Sequence, residues 1–289
     1  MIAEAVEAPR LVMVQSGGLE LAVWEWPGED PPLLFAHATG FHGRCWGEIA
    51  RRFPMHRRLA IEFHGHGRSS KPAPPYFWPS FAADLTAISE ALGIRDAIGI
   101  GHSMGGHSIV EAAVLRPATF RTLVLIDPTI WPAERYGSAP FDASFIRRRK
   151  AIFTSPEEMW HRFHARLPFT RWNPRSLRDY CQFALLPSDG HFVLACPPEI
   201  EASIYEHSMH ATSNLYTGIP AVTRPVLVMR CGVPYRPGVF NLNASPTAPD
   251  LAAHFRNGRD LLLSDHNHYI PMEAPELVAD WIARYVALE

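Results

Sequence analysis

Residues 97–112, AIGIGHSMGGHSIVEA, decide the fold that the sequence predicts. A short apolar run leads directly into Ser103, and a helix-like run follows it. Gly101 and Gly105 lie two positions before and after Ser103, which gives the pattern Gly-x-Ser-x-Gly. A strand that turns sharply into a helix has space only for very small side chains beside the turning residue. The pattern therefore predicts a nucleophile elbow, a strained turn that holds the Ser103 hydroxyl exposed.

The composition is that of a globular protein with little net charge. The 289 residues are 47% hydrophobic and 19% charged, with a formal net charge of −2. A large core is expected, and neither nucleic acid nor an anionic membrane is an expected partner. The start MIAEAVEAPR has acids where a secretory signal has positive charge, and no run approaches the roughly 20 apolar residues of a membrane span. Four scattered cysteines are expected to be reduced, which indicates a cytoplasmic protein.

Short apolar runs recur along the chain with turn or helix signals between them. The runs at 11–15 and 19–26 are separated by a Ser-Gly-Gly turn, which predicts a β-hairpin. Further strands are predicted at 33–37, 59–63, 97–101, 122–127, 225–230 and 259–264, and helices at 81–93, 108–117 and 274–288. This alternation predicts an α/β protein with an eight-stranded, mostly parallel sheet and helices on both faces.

The alternation stops between residues 131 and 216, a segment rich in Trp, Phe, Pro and Arg with helical pieces and no convincing strand. We interpret 131–216 as an inserted helical cap on a core domain formed by 1–130 and 217–289. Residues 135–178 carry ten basic side chains against three acidic ones. One interpretation is an electropositive entrance for an acidic small molecule. We favour the other, a solvated surface that acids elsewhere neutralise.

Four segments occur in the order found in α/β-hydrolase-fold enzymes, which this sequence resembles. They are HATGFHG from residue 37, EFHGHGRS from 62, GHSMGG from 101 and SDHNHYIPMEAPE from 264. The resemblance covers most of the chain outside the cap. It implies a serine hydrolase with a cap over the site, acting on a small carboxylic ester. Thioesters, lactones and carbon–carbon bonds beside a ketone pass through similar oxyanions and stay open, with the small carboxylic ester as the default.

A serine hydroxyl needs a neighbouring base to take its proton, and His268 is the candidate for Ser103. His268 follows the last predicted strand, where the resemblance places the catalytic histidine. Tyr269-Ile270-Pro271 matches the segment that usually comes after it. His266 is the nearest alternative.

The oxyanion formed by attack on a carbonyl needs backbone N–H donors that are fixed in advance. The resemblance assigns these donors to Met104, directly after Ser103, and to Thr39 in HATGF. Because Ala38 replaces a usual glycine, Gly40 and Phe41 are alternatives to Thr39.

The acidic residue departs from the resemblance. Most relatives have an aspartate soon after the strand that reads PVLVMR here, but no carboxylate follows Arg230 until Asp250. A second placement in the fold is the end of the strand after the nucleophile helix, where this chain has Asp127. We therefore predict Asp127 as the third catalytic residue, with Asp250, or a site without a carboxylate, as the alternatives.

Two closely spaced histidines could indicate a metal site, but a tight turn explains the segment better. His64 and His66 are two positions apart, but the neighbouring glycines favour a tight turn beyond a strand, and no cluster of Asp, Glu or Cys completes a ligand set. Neither a metal nor a cofactor is predicted. Two other functions stay open: a cofactor-free haloperoxidase-like enzyme of the same fold, and a receptor-like protein that binds its ligand with little turnover.

Overall fold

A computed structural model describes residues 8–236 and 241–287. Within them the strands are β1 (Arg10–Ser16), β2 (Leu19–Trp26), β3 (Glu29–Ala36), β4 (His56–Glu62), β5 (Ala97–His102), β6 (Phe120–Ile126), β7 (Ile152–Phe153), β8 (Leu185–Ser188), β9 (His191–Leu194), β10 (Val226–Cys231) and β11 (Gly258–Leu263). The α-helices are α1 (Gly47–Ala50), α2 (Pro79–Ala91), α3 (Met104–Leu115), α4 (Ser144–Arg147), α5 (Pro156–Phe163), α6 (Pro174–Phe183), α7 (Pro198–Glu206), α8 (Ile270–Glu273) and α9 (Pro275–Val286).

Eight strands form one sheet in the order β1-β2-β4-β3-β5-β6-β10-β11. The predicted hairpin is confirmed, since β1 and β2 pair antiparallel. Strand β2 is also antiparallel to β4. Each neighbouring pair in the rest of the sheet order, from β4 through β3, β5, β6 and β10 to β11, is parallel. The carboxyl ends of the parallel strands therefore meet at one edge of the sheet, where α/β proteins carry their sites. The predicted eight-stranded, mostly parallel sheet is confirmed.

Helices cover both faces of this sheet, as predicted. Successive residues of a strand point to opposite faces, and β6 shows the consequence. Leu123 and Leu125 pack in the apolar cluster that includes α2 and α3, whereas Val124 and Ile126 pack in the cluster that includes α1 and α9. Burial on both faces explains why the central strands read as continuous apolar runs.

The segment between β6 and β10 contains α4 to α7 and a small antiparallel sheet in the order β7-β9-β8. The prediction that this segment has no strands is wrong. Its strands have only two to four residues, too few for an alternating pattern to be recognised. A local signal existed in Asp189-Gly190, because both residues have positive φ in the turn between β8 and β9, the conformation that tight hairpins favour.

The bounds of the predicted helices differ from those observed, and the helix predicted at 81–93 is Pro79–Ala91. The helix predicted at 108–117 starts at Met104, directly after Ser103. The closing helix predicted at 274–288 runs to Val286, and residue 288 lies outside the described residues. The predicted core segments 1–130 and 217–289 also include 1–7, 237–240 and 288–289, which lie outside them too. No helix in the described part of the chain has the length and apolar character needed to cross a bilayer.

Candidate active site

Ser103 occupies a strained turn between β5 and α3. Its φ of 55° and ψ of −119° lie in a region that non-glycine residues rarely adopt. A Cβ on Gly101 would come within 2.6 Å of the Gly105 backbone, and a Cβ on Gly105 within 2.1 Å of the Ala36 carbonyl oxygen. Both glycines are therefore required because α3 starts in close contact with the ends of β5 and β3.

His268 lies on the loop after β11, with its Nε2 3.0 Å from the Ser103 Oγ. His102 fixes the backbone of this loop, because its Nε2 lies 2.7 Å from the His268 carbonyl oxygen. Burial lowers the pKa of His102 to about 3, so its ring is neutral and donates the Nε2 proton to that carbonyl. The residue that precedes Ser103 thus holds the candidate base in place.

Asp127 completes a hydrogen-bonded chain with these two residues. It directly follows β6 with a φ of 44° and is fully buried. Its Oδ2 lies 2.7 Å from the His268 Nδ1. An ionised carboxylate only accepts hydrogen bonds, so the proton of His268 sits on Nδ1 and Nε2 is left to accept the Ser103 proton. This is the tautomer that general-base catalysis requires.

The second oxygen of Asp127 is held by the last residue of β10 and by the loop that follows it. Its Oδ1 accepts hydrogen bonds from the Ser245 hydroxyl (2.6 Å) and the Cys231 N–H (3.1 Å). The Thr247 Oγ1 lies 3.3 Å from this Oδ1 and 2.7 Å from the Pro128 carbonyl oxygen. Burial raises the pKa of Asp127, but the bonds from His268, Ser245 and Cys231 outweigh it and hold that pKa below its ordinary value. The carboxylate is therefore charged at neutral pH.

The alternatives that the sequence left open lie elsewhere. The Asp250 side chain is 70% exposed and lies 3.4 Å from His254. His266 pairs with Glu273, with 3.2 Å between Nδ1 and Oε2. Neither Asp250 nor His266 takes part in the hydrogen-bonded chain that includes Ser103.

The predicted oxyanion donors Thr39 and Met104 are neighbours in space. The Thr39 hydroxyl lies 3.4 Å from the Met104 Sδ. Among the hydrogen bonds of the described residues, none uses the backbone N–H of either residue. The alternative donors are already engaged: the Gly40 N–H donates to the His66 Nε2 (3.1 Å), and the Phe41 N–H donates to the Ala38 carbonyl (3.1 Å).

Two buried histidines fix the loop that carries Thr39. His66 accepts the Gly40 N–H, and its Nδ1 lies 3.2 Å from the His64 carbonyl oxygen. His37 accepts the Phe63 N–H at Nε2 (3.3 Å), and its Nδ1 lies 2.8 Å from the Ala38 carbonyl oxygen. Burial lowers the pKa of His37 to about 4 and that of His66 well below its ordinary value, so both rings stay neutral.

Sequence reasoning missed several residues that contact the candidate site. The Thr129 Oγ1 lies 3.0 Å from the Ser103 Oγ, and the Thr129 N–H donates to the Ser103 carbonyl. Ser245 holds the candidate acid and Thr247 lies beside it, as described above. Thr129 could have been found as a hydroxyl two positions after Asp127. Ser245 and Thr247 carry no local signal, since they lie more than 100 residues away from Asp127 in the chain.

Aromatic side chains close the site above the sheet. The Phe41 ring lies 5.8 Å from Trp172, 5.2 Å from Tyr180 and 6.1 Å from Tyr269, measured between ring centroids. Trp172 and Tyr180 come from the inserted segment, so this segment covers the loop that carries Thr39. Ser103 itself is 7% exposed.

Other groups with possible chemistry have structural partners. His64 lies 2.7 Å from Asp84 between its Nδ1 and an Oδ2, and so it does not share a ligand set with His66. Within the described ranges, no three side chains of His, Cys, Asp or Glu come together as a metal site. The four cysteines are buried free thiols: Cys45, Cys181, Cys196 and Cys231.

A mostly parallel sheet with a serine on a glycine-flanked elbow, a histidine beyond the last strand and an aspartate between them in the chain defines the α/β-hydrolase class. Sequence comparison agrees with the geometry, because a model of the alpha/beta hydrolase family matches residues 33–281. The chain belongs to this family.

Its curated relatives include hydrolases and haloperoxidases. The chain is 25% identical to the 2-(acetamidomethylene)succinate hydrolase of Mesorhizobium japonicum over 275 residues, 94% of each chain. It is 32% identical to the non-heme chloroperoxidase of Streptomyces lividans over 115 residues, which is 38% of this chain and 42% of that relative. For the non-heme chloroperoxidase of Burkholderia pyrrocinia the match spans only 34% of the relative. These matches thus cover less than half the length of either chloroperoxidase.

Solved structures share the fold. The crystal structure of E-2-(acetamidomethylene)succinate hydrolase superposes with a TM-score of 0.74 at 22% identity, covering 96% of this chain and 99% of the other. A thioesterase domain from a curacin biosynthetic pathway superposes with a TM-score of 0.72 at 18% identity, covering 96% and 100%.

Proposed function

We propose that this protein is a serine hydrolase that cleaves a small carboxylic ester, thioester, lactone or carbon–carbon bond beside a ketone through an acyl-enzyme on Ser103. The observation that carries the proposal is the chain of contacts from Ser103 to His268 (3.0 Å) and from His268 to Asp127 (2.7 Å). The proton position on His268 that follows from the Asp127 contact is the one a general base needs.

The proposed reaction has two halves. His268 takes the Ser103 proton as the Oγ attacks the substrate carbonyl, and the N–H groups of Thr39 and Met104 stabilise the oxyanion. His268 then gives its proton to the leaving group, which departs and leaves the acyl group on Ser103. A water molecule, activated by His268, attacks the acyl-enzyme, and the acid product leaves Ser103 with its proton restored.

We further propose that residues 131–216 act as a cap over this site, since Trp172 and Tyr180 cover the loop of Thr39. The substrate is a small molecule that enters beneath this cap. Four buried free thiols favour a reducing compartment, and we propose the cytoplasm.

Labelling with a fluorophosphonate probe tests the proposal. The wild-type protein is expected to be labelled on Ser103 and to hydrolyse short p-nitrophenyl esters, whereas Ser103→Ala loses both. Removing the nucleophile of a serine hydrolase typically costs about 10⁶ in kcat. A protein that is folded but neither labelled nor active on any ester would contradict the proposal.

The second candidate is a cofactor-free haloperoxidase-like enzyme that uses the same residues. The identity of 32% to the Streptomyces chloroperoxidase over 115 residues favours it. The two candidate functions are separated by measuring kcat/KM for halogenation, with a carboxylic acid and peroxide, and for ester hydrolysis. A higher kcat/KM for halogenation supports the second candidate. The hypothesis of a receptor-like protein is less favoured. It depended on the absence of a carboxylate from the usual position, and Asp127 lies 2.7 Å from His268 in its place.

A further inference from the structure

A buried ion pair lies against the loop that carries the proposed oxyanion donor. Arg149, two residues beyond α4, pairs through its Nη1 with the Glu201 carboxylate on α7. The Glu201 side chain is only 8% exposed. A Cβ on Gly40 would come within 2.7 Å of the Glu201 Oε1, so the carboxylate touches the residue that follows Thr39.

Arg149 is partly accessible although its partner is nearly buried, since 27% of the Arg149 side chain is exposed. Tyr205 and Tyr269 are also half-buried. Tyr269 directly follows His268, so it lies on the loop that carries the candidate base.

The two tyrosines and the ion pair belong to one polar group. Burial raises the pKa of both phenols, and the charges of Glu201 and Arg149 act on both of them as well. A cation and two hydroxyls therefore lie together close to the loop of Thr39. A third phenol, that of Tyr180 on α6, also contacts Arg149.

Glu201 and Tyr180 occupy only part of the hydrogen-bonding capacity of Arg149. A guanidinium has five N–H donors in a planar fork that matches a carboxylate, and Glu201 occupies one Nη of that fork. Among the described residues, Glu201 is the carboxylate paired with Arg149. Arg147 offers a contrast, since its fork is filled on the outer surface by Glu199 and Glu206.

Resting on the proposed function, we propose that Arg149 binds a carboxylate of the substrate. The preferred substrate class is then an ester or related acyl compound that also carries a free carboxylate, such as a half-ester of a dicarboxylic acid. Glu201 orients the guanidinium, and the hydroxyls of Tyr205 and Tyr269 complete the polar end of the proposed binding site. Hydrogen bonds between a guanidinium and a carboxylate are among the strong ones in proteins, so a preference of about 10- to 100-fold is expected.

The test compares kcat/KM for the monomethyl esters of succinate, glutarate and adipate with the values for neutral methyl esters of matched chain length. The wild-type protein is expected to prefer at least one half-ester about tenfold or more. Arg149→Gln is expected to lower the ratio of half-ester to neutral-ester kcat/KM by about 10- to 100-fold. Arg147→Gln removes the same charge from the same segment and is the matched control, whose ratio should equal that of the wild type.

Arg149→Gln leaves Glu201 buried without its partner, so the double variant Arg149→Gln/Glu201→Gln is measured beside it. This variant keeps the pair neutral, and the same fall in the ratio is expected. A wild-type protein that hydrolyses neutral esters as well as half-esters, or a ratio that does not change in either variant, overturns the carboxylate proposal. Fluorophosphonate labelling of Ser103 in the same samples distinguishes failure of the carboxylate proposal from failure of the proposed serine hydrolase. If the wild-type protein is not labelled and hydrolyses no ester, the serine hydrolase proposal is contradicted.

Discussion

Replacing Asp127 by Asn tests how the candidate site fixes the proton of His268. The Oδ1 of Asp127 accepts from the Ser245 hydroxyl and the Cys231 N–H, so the amide oxygen of an asparagine is expected to take that position. The amide NH₂ then faces the His268 Nδ1, which lies 2.7 Å from the present Oδ2. Because the amide is a donor there, Nδ1 must accept, and the histidine proton moves to Nε2.

A proton on Nε2 prevents His268 from accepting the proton of Ser103. The geometry is otherwise retained, so the loss reflects the wrong tautomer and the missing negative charge. A change of this kind costs about 10⁴ in kcat, which is about 5.5 kcal/mol of transition-state stabilisation. KM for a short ester should change little, because Asp127 is fully buried behind the histidine.

The assay is steady-state hydrolysis of p-nitrophenyl acetate by Asp127→Asn, with Ser103→Ala defining the background. Asp250→Asn is the matched control, since this exposed aspartate lies beside His254 and should leave kcat unchanged. Thermal unfolding of each variant separates a chemical defect from a folding defect. The reasoning is refuted if Asp127→Asn retains kcat within about threefold of the wild type, or if the loss appears in Asp250→Asn.

Three further predictions concern the supports of the site. Ser245→Ala should lower kcat about tenfold with little change in KM, because a hydrogen bond to a charged group contributes about 1.5–3 kcal/mol; unchanged kinetics would contradict this. Gly105→Ala should destabilise the protein by about 1–3 kcal/mol or more in urea unfolding, since its Cβ meets the Ala36 carbonyl at 2.1 Å. Burial lowers the pKa of three histidines to between about 3 and about 4: His37, His102 and His107. In the unfolded chain these groups titrate near 6.5, so unfolding takes up protons and the urea midpoint should fall as the pH decreases from 6.5 towards 4. Burial of Glu111, whose pKa is raised to about 7, opposes only part of this effect, and a midpoint that stays constant or rises would contradict it.

The sequence by itself determined the sheet and the position of the elbow. Buried parallel strands produce continuous apolar runs, and the turn at Ser103 needs small residues at fixed spacings, Gly101 and Gly105. Both signals are local, because they arise from contacts within a strand or across one turn. The prediction of His268 depended on chain order and on the segment that follows it, and the structure brings its ring to 3.0 Å from Ser103.

Only the tertiary structure decided which groups surround these residues. Asp127 and His268 are separated by 141 positions in the chain, and they meet because β6 and the loop after β11 end at the same edge of the sheet. The loop after β10 has no carboxylate before Asp250 and instead supplies Ser245, which binds Asp127 at the end of β6. The Arg149–Glu201 pair also depends on how the inserted segment folds over Gly40. Contacts of this kind produce no recognisable spacing of residue types in the sequence. Each partner belongs to an element whose formation depends on its own local sequence, and only the packing of these elements sets the distance between the two side chains.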